Sequence, residues 1–599
     1  MTKTLNLPEN VKTIMNMLNR NGYEAFVVGG CVRDAILSRT PHDWDITTSA
    51  KPDEIKEVFS EPDFKVLPIG ENFGMIAVLY DGEQYEITTY RKDGKYNDNR
   101  HPDSVDFAEN IETDLSRRDF TMNAIAYNDK VGFIDPFGGY DDIKNGTIRC
   151  VGNPKDRFEE DRLRVLRAIR FEAQLAPFNM MLDEEIMQFI NHNPLSELWG
   201  ISYERINAEL CKILMSEGMG ARSIRKHKRF FFKNNILRFE KADGFAQNNV
   251  HHFYDVFEHT LHAMESIDKK AFRNFYRSFV DFHNILNDDI TLRLALLFHD
   301  IGKPETYVKD EQGVGHFPEH AKASVKIAEE ELLRLRFSRK TIDDVCQLIR
   351  YHEIGFPQTV KSWKRVLNKM DQKQVKRWFV LKHLDSFGKN TAYIPSSYAL
   401  KTSLSVFHEV LEEKPCFTLK DLAINGKDMI TLGFKENKYL GYALKTLLNM
   451  IIEEKVENTK DELEFAATNI LAKENIDKWY TELVYDAQFC GRENVFDVLP
   501  DLNNTTIKEA FEKNNLPYDD NCHYIAKKFN HEGLTIKEFL AKYPHLQINE
   551  WFYDDKNRDP KALSETPTVV FLGRKFDYVM VSDNGAVDAK LVIFIKEKE

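Results

Sequence analysis

The sequence lacks the cysteine pairs and long apolar runs that mark secreted, zinc-binding and membrane proteins. Its seven cysteines are scattered, and none of them form a CxxC pair, so neither a disulfide framework nor a structural zinc site is predicted. The N-terminal segment has no apolar core like that of a signal peptide, and no stretch reaches the roughly 18 uncharged apolar residues of a membrane helix. We therefore expect a cytoplasmic protein with no membrane anchor.

Positive charge is also in short supply. Acidic residues number 95 against 82 Lys and Arg, for a net charge of −13, which argues against a protein that coats nucleic acid through its overall charge. A local basic surface remains open. The Walker loop and the GxGxxG dinucleotide fingerprint are both missing. At 599 residues, with 42% hydrophobic and 30% charged, the chain is typical of a globular protein with several domains of roughly 100–200 residues each.

The first quarter of the chain alternates short helices and strands. Residues 24–30 are typical of a buried strand that runs into a glycine turn. Residues 76–80 and 84–90 predict a hairpin around Asp81-Gly82, because Asp-Gly suits a type I′ turn. The sequence therefore predicts an α/β domain up to about residue 150.

From Glu159 to about residue 475 the pattern is almost entirely that of amphipathic helices. Strand-like runs return near the C-terminus at 568–572, 575–582 and 589–596, with a turn at 583–585 between the last two. We expect a small α/β C-terminal extension there.

Residues 222–241 form a basic and aromatic segment within the helical part. The segment holds eight Lys or Arg, one Glu and four Phe. Cations interleaved with aromatic rings can supply phosphate contacts and base stacking. The same composition is equally typical of a helix end with a solvated basic face and Phe in the core. The sequence alone leaves both interpretations open.

The most informative run is 26–50, FVVGGCVRDAILSRTPHDWDITTSA. A buried strand leads to Gly29 and Gly30, where the missing Cβ lets backbone N–H groups approach a phosphate. Arg33 lies in the first turn of the helix that follows and is close enough to reach the same anion. The run predicts a nucleotide-binding turn.

Two carboxylates follow ten residues later. Asp43 and Asp45 alternate with Trp44, and on a strand both carboxylates would face one side. Hard oxygen ligands suit Mg²⁺, and a pair of such ions can clamp an in-line displacement at phosphorus. Glu86, in a later strand-like run, is either a third carboxylate near the metals or an exposed strand residue.

Two further segments supply charged side chains. Residues 117–128 bring cations, a carboxylate and an amide close together, and guanidinium groups suit a triphosphate. In residues 158–171 one acid and three arginines recur at every third position, which would place them on one side of a helix. The candidates are Arg117, Arg118, Asp119 and Asn123 in the first segment and Asp161, Arg164, Arg167 and Arg170 in the second.

Six segments carry a family resemblance: GGCVRD (29–34), DWD (43–45), RRDFTMNA (117–124), DPFGGYDDI (135–143), EDRLRVLR (160–167) and SYERINAEL (202–210). In content and order they resemble the class II nucleotidyltransferases of the DNA polymerase β superfamily, which are the CCA-adding tRNA nucleotidyltransferases and the bacterial poly(A) polymerases. The resemblance covers roughly residues 20–215. It implies a polymerase β-like α/β nucleotidyltransferase head followed by an all-helical neck and body.

The resemblance also implies a role for each matching residue. Asp43 and Asp45 would hold the catalytic Mg²⁺, and Asp119 would contact the ribose. Asp161 and Arg164 would select the incoming base, since an acceptor and a donor can bond the Watson–Crick edges of cytosine and adenine. Phosphate and other nucleotide contacts would come from Gly30, Arg33, Arg118, Asn123, Arg167 and Arg170.

A second group of candidate ligands lies in the middle of the chain. The apolar segment 292–304 ends in His299 and Asp300, and two adjacent polar side chains at a buried helix end need polar partners or a metal. This region resembles the HD phosphohydrolase domain. The resemblance implies one ion held by His259, His299, Asp300 and Asp385, and a second, bridged through Asp300, held by His320 and His352.

Mixed imidazole and carboxylate ligands suit Mn²⁺, Fe²⁺ or Ni²⁺ better than Mg²⁺. Metal-bound hydroxide would then attack a phosphoester. The alternative is an HD domain that serves only as a helical scaffold, without catalysis.

The chain is thus predicted to contain six segments. Residues 421–468 also resemble the helices that grip the tRNA acceptor arm in HD-containing CCA-adding enzymes. The predicted segments are a catalytic head (1–150), a neck with nucleotide-selecting residues (151–220), a basic and aromatic connector (221–250), an HD domain (251–400), a helical tRNA-binding segment (401–475) and a C-terminal domain of unknown role (476–599).

The predicted activity is the template-independent addition of CCA to the 3′ end of tRNA from CTP and ATP, with release of pyrophosphate. The alternatives are a poly(A) polymerase or an enzyme that adds only CC or only A, and an HD-type phosphohydrolase whose head senses nucleotides. Residues 91–105 match the flexible loop that CC-only enzymes lack, which favours the full CCA activity. Because the net charge is negative, tRNA would be held by local surfaces such as 222–241, with salt-sensitive affinity.

Overall fold

The computed structural model describes residues 4–67, 69–71, 74–93, 105–192, 198, 200–287, 289–413 and 415–471, together with four strands between residues 522 and 597. The chain divides into two compact units, Met1–Glu412 and Glu413–Glu599. In the described part, no helix is both long enough and apolar enough to cross a membrane. Most of the predicted flexible loop, 94–104, lies outside the described residues.

The first part of the N-terminal unit is an α/β head, as predicted. Its strands are β1 (Ala25–Val28), β2 (Ile46–Thr48), β3 (Phe64–Leu67), β4 (Met75–Tyr80), β5 (Glu83–Thr89), β6 (Arg91–Asp93), β7 (Val105–Phe107), β8 (Ala126–Asn128) and β9 (Gly132–Ile134). Seven of them form one sheet in the order β3-β4-β5-β2-β1-β8-β9, and β6 pairs with β7. All four residues of β1 are buried, because this strand lies between β2 and β8.

Local sequence signals explain the elements around this sheet. The head helices are α1 (Glu9–Arg20), α2 (Gly30–Ile36), α3 (Pro52–Val58), α4 (Ile111–Ser116) and α5 (Gly139–Asn145). Helix α1 buries Val11, Ile14 and Leu18 at helical spacing. The β4–β5 hairpin is confirmed, since Asp81 and Gly82 both have positive φ, 51° and 80°, as a type I′ turn requires.

The prediction that Asp43 and Asp45 lie on a strand is wrong. Strand β2 begins only at Ile46, and both acids lie in the irregular segment before it. Aspartate is disfavoured in strands, whereas Ile46-Thr47-Thr48 contains only β-branched residues. The Asp45 carbonyl still accepts a hydrogen bond from the Val28 N–H at 3.0 Å, so β1 fixes the position of this segment.

The neck is helical, with one short parallel strand pair. Its helices are α6 (Pro154–Glu160), α7 (Leu163–Leu175), α8 (Glu184–His192), α9 (Tyr203–Leu214), α10 (Gly220–Lys226) and α11 (Lys228–Lys233), and the strands are β10 (Thr147–Ile148) and β11 (Met181–Leu182). The single helix predicted over 158–171 is wrong, because Asp161 has extended backbone angles, φ −141° and ψ 103°, between α6 and α7. Its side chain accepts from the Leu163 N–H at 3.0 Å and so competes with helix continuation.

The region predicted as the HD domain is a helical bundle. Its helices are α12 (Val256–Ser266), α13 (Lys270–Tyr276), α14 (His283–Asn287), α15 (Ile290–Phe298), α16 (Lys303–Thr306), α17 (His320–Arg334), α18 (Arg339–Tyr351), α19 (Val360–Leu367), α20 (Gln372–Phe387) and α21 (Ser397–Glu413), with a small strand pair β12 (Val308–Lys309) and β13 (Gly315–His316). Every side chain from Thr291 to Phe298 on α15 is buried, so this helix is central to the bundle and delivers His299 into its interior.

The second unit contains helices and a separate sheet. Helices α22 (Gly426–Thr431) and α23 (Lys438–Ile452), with a further helix at 460–471, enclose a core that includes Met429, Leu447 and Leu463. Strands β14 (Cys522–Lys527), β15 (Phe571–Leu572), β16 (Asp577–Met580) and β17 (Val592–Glu597) form an antiparallel sheet in the order β14-β17-β16-β15. The last three strands overlap the predicted ones, β14 was not predicted, and the predicted turn at 583–585 lies outside the described residues.

Candidate active site and metal centre

Gly29 forms the turn between β1 and α2. Its φ of +85° lies in the left-handed region, and a Cβ there would lie 2.9 Å from Nη1 of Arg118. The Arg118 guanidinium therefore packs against the glycine Cα, in space that a side chain would fill. Gly30 begins α2, and Nη2 of Arg33 would lie 3.6 Å from a Cβ built on it. The turn thus brings together the predicted residues Gly30, Arg33 and Arg118.

The two acids before β2 influence each other electrostatically. Burial, and with it the charges of Asp43 and Glu86, raise the pKa of the Asp45 carboxyl to about 6 against the opposing effect of Arg118. A carboxylate whose ionisation is disfavoured by a neighbouring carboxylate is a group that a divalent cation stabilises. Glu86 is an exposed residue of β5, as the second of its two sequence interpretations expects, and its charge also acts on Asp45. The donor set consists of hard oxygen atoms and fits Mg²⁺.

A chain of hydrogen bonds joins the head to the neck at this site. Nη1 of Arg33 donates to Oδ1 of Asn123 at 2.8 Å, and Nδ2 of Asn123 donates to Oδ1 of Asp119 at 3.1 Å. Nε of Arg167 donates to Oδ2 of Asp119 at 2.8 Å. Burial acts to raise the pKa of Asp119, but Arg167, Asn123 and Arg164 hold it well below its usual range. Asp119 is therefore ionised, and both of its oxygens are engaged in holding the site together.

The two candidate base-selecting residues lie where α6 meets α7. Asp161 accepts a charge-assisted bond from Nη2 of Arg205 at 2.7 Å. Arg164 donates to Oε2 of Glu160 at 2.7 Å and to the Arg117 carbonyl at 3.1 Å. Each side chain is therefore held in one orientation by a partner of opposite charge or by backbone.

Arg170 is the most deeply buried of the three α7 arginines. It lies 3.1 Å from Oε2 of Glu209, and only 6% of the residue is exposed. Burial lowers the pKa of Arg170 to about 10, and Glu209 counteracts that effect. The guanidinium therefore stays charged at neutral pH.

The carboxylates that hold these arginines were not among the sequence candidates. They include Glu160, Glu209 and the fully buried Asp114, which contacts Arg117 at 2.7 Å and Arg118 at 3.3 Å. Arg205 was also missed. A usable signal existed in SYERINAEL, where Arg205 and Glu209 are four residues apart and so share one helix face. Buried cations require such partners.

The basic and aromatic segment, residues 222–241, buries most of its phenylalanines, and most of its cations are paired with acids. Phe230, Phe231 and Phe239 are buried. Five of its eight Lys and Arg form ion pairs with acids of the same unit: Arg225 with Glu258 and Glu265, Lys226 with Glu172, Lys228 with Asp243, Arg238 with Glu331 and Lys241 with Glu305. The structure thus favours the interpretation in which the phenylalanines pack in the core and the cations form structural ion pairs. The segment is therefore a weaker candidate for an RNA-binding surface than its sequence indicates.

The HD bundle gathers the predicted ligands of a first ion into one cluster. Nε2 of His259 lies 3.3 Å from Nε2 of His299, 3.2 Å from Oδ2 of Asp300 and 3.1 Å from Oδ1 of Asp385. Nε2 of His299 lies 3.3 and 3.4 Å from the same two oxygens. Ligand atoms about 2.1 Å from one ion lie about 3.0–3.4 Å apart in octahedral or tetrahedral coordination. The four side chains therefore fit a single ion.

A second cluster shares Asp300 with the first. Oδ1 of Asp300 lies 3.3 Å from Nε2 of His320 and 3.5 Å from Nε2 of His352, and the two ring nitrogens are 3.2 Å apart. Three of the histidines direct Nδ1 to a backbone carbonyl one turn earlier, which leaves Nε2 free for a metal. These pairs are His299 with Leu296, His320 with Phe317 and His352 with Ile349.

Two lysines that the sequence analysis did not single out complete this centre. Nζ of Lys303 lies 2.6 Å from Oδ2 of Asp300, and Nζ of Lys389 lies 2.6 Å from Oδ2 of Asp385. Burial acts to raise the pKa of both aspartates, but the neighbouring histidines and these lysines hold both pKa values well below the usual range. Both aspartates are therefore ionised, as metal ligands must be.

Comparison with known proteins assigns families to both regions. Residues 25–149 match the poly A polymerase head domain, and residues 251–387 match the HD domain. The CCA-adding enzyme of Staphylococcus saprophyticus is 32% identical over 463 residues, which is 77% of this chain and 98% of that protein. The CCA-adding enzyme of Geobacillus thermodenitrificans is 47% identical over 201 residues, 34% of this chain and 48% of its own length.

A solved structure shares the fold. The crystal structure of Bacillus stearothermophilus CCA-adding enzyme in complex with CTP matches with a TM-score of 0.55 and 25% identity, over 79% of this chain and all of that one. The predicted architecture of a polymerase β-like head with helical neck, body and HD domain is confirmed. Because a relative is 32% identical across 98% of its own length, this chain belongs to the CCA-adding enzyme family of nucleotidyltransferases.

Proposed function

We propose that this protein adds CCA, without a nucleic acid template, to the 3′ end of tRNA from CTP and ATP. The observation that carries the proposal is the Asp43–Asp45 pair beside Arg118 at the Gly29 turn. In each step the tRNA 3′-hydroxyl oxygen bonds to the α-phosphorus, the bond to the leaving pyrophosphate breaks, and the hydroxyl proton is released. Asp43 and Asp45 would hold Mg²⁺, which when bound would supply charge neutralisation and activation of the hydroxyl.

The other residues hold and select the nucleotide. Arg33, Arg118, Arg167 and Arg170 offer positive charge to the triphosphate. Asp119 orients Arg167 and Asn123 through the contacts described above, and its predicted contact with the ribose remains a proposal. Asp161 and Arg164 present an acceptor and a donor for the base edge, in orientations set by Arg205 and Glu160.

Purified protein with tRNA lacking its 3′ end tests the activity. We expect CTP alone to give two added residues, ATP alone to give none, and both nucleotides to give the complete end. If the product is poly(A), or if only CC or only A is added, the proposal is refuted and the protein has the corresponding activity instead. Asp43→Ala should abolish addition, and His299→Ala, in the other metal centre, should leave it unchanged. The reverse pattern would make the HD centre the principal activity.

The two ligand clusters favour a second function. We propose that the HD centre binds Mn²⁺, Fe²⁺ or Ni²⁺ and hydrolyses a phosphoester, because its imidazole and carboxylate donors suit these ions and bound water in such sites is acidified. Metal analysis of the purified protein should find a transition metal that His299→Ala removes. Hydrolysis of bis(p-nitrophenyl) phosphate with added Mn²⁺ or Ni²⁺ should be lost in His299→Ala and kept in Asp43→Ala. Metal without hydrolysis would support the scaffold alternative.

We also propose the segment boundaries given above, and cytoplasmic residence. Five described cysteines are free thiols, which suits a reducing compartment.

Residues 401–475 are the proposed tRNA-binding segment. Tyr442 and Phe465 in this segment are 61% and 72% exposed, as base-stacking side chains would be. A chain ending near residue 475, assayed for tRNA affinity, would test whether 476–599 contribute.

A further inference from the structure

One aromatic ring contacts three of the candidate phosphate-binding arginines. The guanidinium carbons of Arg33, Arg167 and Arg170 lie 5.2, 5.5 and 4.1 Å from the centroid of the Phe171 ring. Arg33 belongs to α2 of the head, and the other two belong to α7 of the neck. Phe171 itself is only 5% exposed, so the ring lies inside the junction of the two regions.

The ring is also fixed in its orientation. Phe120 contacts it edge to face, with centroids 5.6 Å apart and planes at 82°. Phe120 is fully buried and directly follows Asp119, the carboxylate that binds Arg167. Two adjacent residues therefore hold this part of the site: Asp119 binds Arg167, and Phe120 packs against the Phe171 ring.

Three guanidinium groups around one point repel each other when no anion is bound. The neighbouring cations Arg167 and Arg33 help to lower the pKa of Arg170. Each of the three has one carboxylate partner, Asp34 for Arg33, Asp119 for Arg167 and Glu209 for Arg170, and these partners compensate only part of the repulsion among the guanidinium groups. A π face attracts cations and is more effective when desolvated, so the Phe171 ring offsets part of this repulsion with no competing negative charge.

We propose that Phe171 is a positioning residue that holds Arg33, Arg167 and Arg170 as one preorganised array for the triphosphate of CTP and ATP. The inference rests on the proposed nucleotidyl transfer and assigns to Phe171 a part in it. An aromatic ring suits this role better than a carboxylate would, because a further negative charge would compete with the phosphates for the same guanidinium groups.

Phe171→Leu in the full-length protein tests the inference, with Phe189→Leu as the matched control. Phe189 is another buried neck residue, which packs on Phe158 with centroids 4.9 Å apart. We expect Phe171→Leu to raise the Kd for CTP, measured by calorimetry, and the KM for both nucleotides about tenfold, with kcat within threefold of wild type. Phe189→Leu should lower the melting temperature similarly and leave the Kd within twofold. Phe171→Tyr, which keeps the ring, should recover most of the affinity.

Unchanged CTP affinity in Phe171→Leu, equal weakening in Phe189→Leu, or a Tyr variant as weak as the Leu variant would overturn the inference. If Phe171→Leu does not fold, Phe171→Met replaces it in the same comparison. Direct CTP binding separates the two proposals: wild-type protein that fails to extend tRNA refutes the proposed function, whereas the variant affinities report on Phe171.

Discussion

At the residue scale, the junction of head and neck concentrates charge of both signs in a partly buried space. Arg117 and Arg118 share the buried Asp114, Arg167 pairs with Asp119, and Arg170 pairs with Glu209. Asp43 and Asp45 differ, because the nearest charges that act on Asp45 are mostly negative. Such an arrangement lowers stability until a cation binds, which is typical of catalytic carboxylates.

Asp45 should therefore make the metal-free protein less stable at neutral pH. Its folded pKa, about 6, is above the unfolded value of about 3.9. The protonated carboxyl therefore favours the folded state, and this contribution to the free energy of unfolding is fully present below about pH 3.9 and is lost as the pH rises through 6. In EDTA at pH 8, Asp45→Asn should raise the free energy of unfolding by about 1–2 kcal/mol, and the difference should vanish toward pH 4. Urea titrations at both pH values check this.

The control for that experiment is Asp63→Asn, because Asp63 is exposed and its removal should change little at either pH. Millimolar Mg²⁺ should stabilise the wild-type protein and not Asp45→Asn. A variant no more stable than wild type at pH 8 would contradict the expectation.

Arg205 should matter for nucleotide choice, although it makes no predicted contact with the base. Its bond to Asp161 fixes the acceptor that would contact the base edge, so Arg205→Ala should lower kcat/KM for CTP and ATP about tenfold, or about 1.4 kcal/mol, and raise incorporation of UTP. Single-nucleotide incorporation assays measure both effects. Arg336→Ala, which removes an exposed ion pair with Glu204, should behave like wild type. Unaltered discrimination in Arg205→Ala would count against the assignment of Asp161.

At the element scale, α7 is the helix on which the site depends. One side carries Arg164, Arg167 and Arg170, and Glu172 ties the helix to the neighbouring segment. Glu172 accepts from Nζ of Lys226 at 2.7 Å, contacts Nε2 of His227 at 2.8 Å and also accepts from the Leu182 N–H. Lys226 and His227 thus help to position the helix that carries the proposed nucleotide contacts.

Glu172→Gln should therefore destabilise the neck. Burial acts to raise the pKa of Glu172, but His227 and Lys226 lower it to about 2, against about 4.3 when unfolded. This stabilisation is present above about pH 4.3 and is lost as the pH falls through 2. We expect a loss of about 2–3 kcal/mol at pH 7 that shrinks below pH 4, measured by urea unfolding. Glu185→Gln, at an exposed position on α8, is the control; equal midpoints for the two variants at pH 7 would refute this role.

At the scale of the whole molecule, the proposed function requires an acidic chain to bind an acidic polymer. The net charge is −13, and many cations of the one strongly basic segment are engaged in internal ion pairs. The S. saprophyticus relative matches 77% of this chain along nearly all of its own length. This chain therefore contains residues that have no counterpart in that relative.

Few phosphate contacts should be available for tRNA. With two to three of them, raising KCl from 50 to 200 mM should weaken tRNA binding roughly 10- to 40-fold. Filter binding across a salt series gives the slope directly. Arg225→Gln, whose cation is paired with Glu258 and Glu265, should leave that slope unchanged. A slope that drops by about one in this variant would return residues 222–241 to the RNA surface.

The sequence by itself determined the family of this protein and the residues of both candidate centres. Ordered motifs such as GGCVRD and DWD, and the adjacent His299 and Asp300, identify both centres because these residue types have few structural uses at that spacing. Local rules also sufficed for the Asp81-Gly82 hairpin and for α1, since turn geometry and helical periodicity are properties of neighbouring residues.

Only the tertiary structure decided which charges meet. The pairing of Arg170 with Glu209 and of Asp161 with Arg205 depends on contacts between residues that are distant in sequence. A basic run looks the same in sequence whether its cations face RNA or buried carboxylates, because the desolvation and pairing that separate the two cases arise only when distant segments pack together.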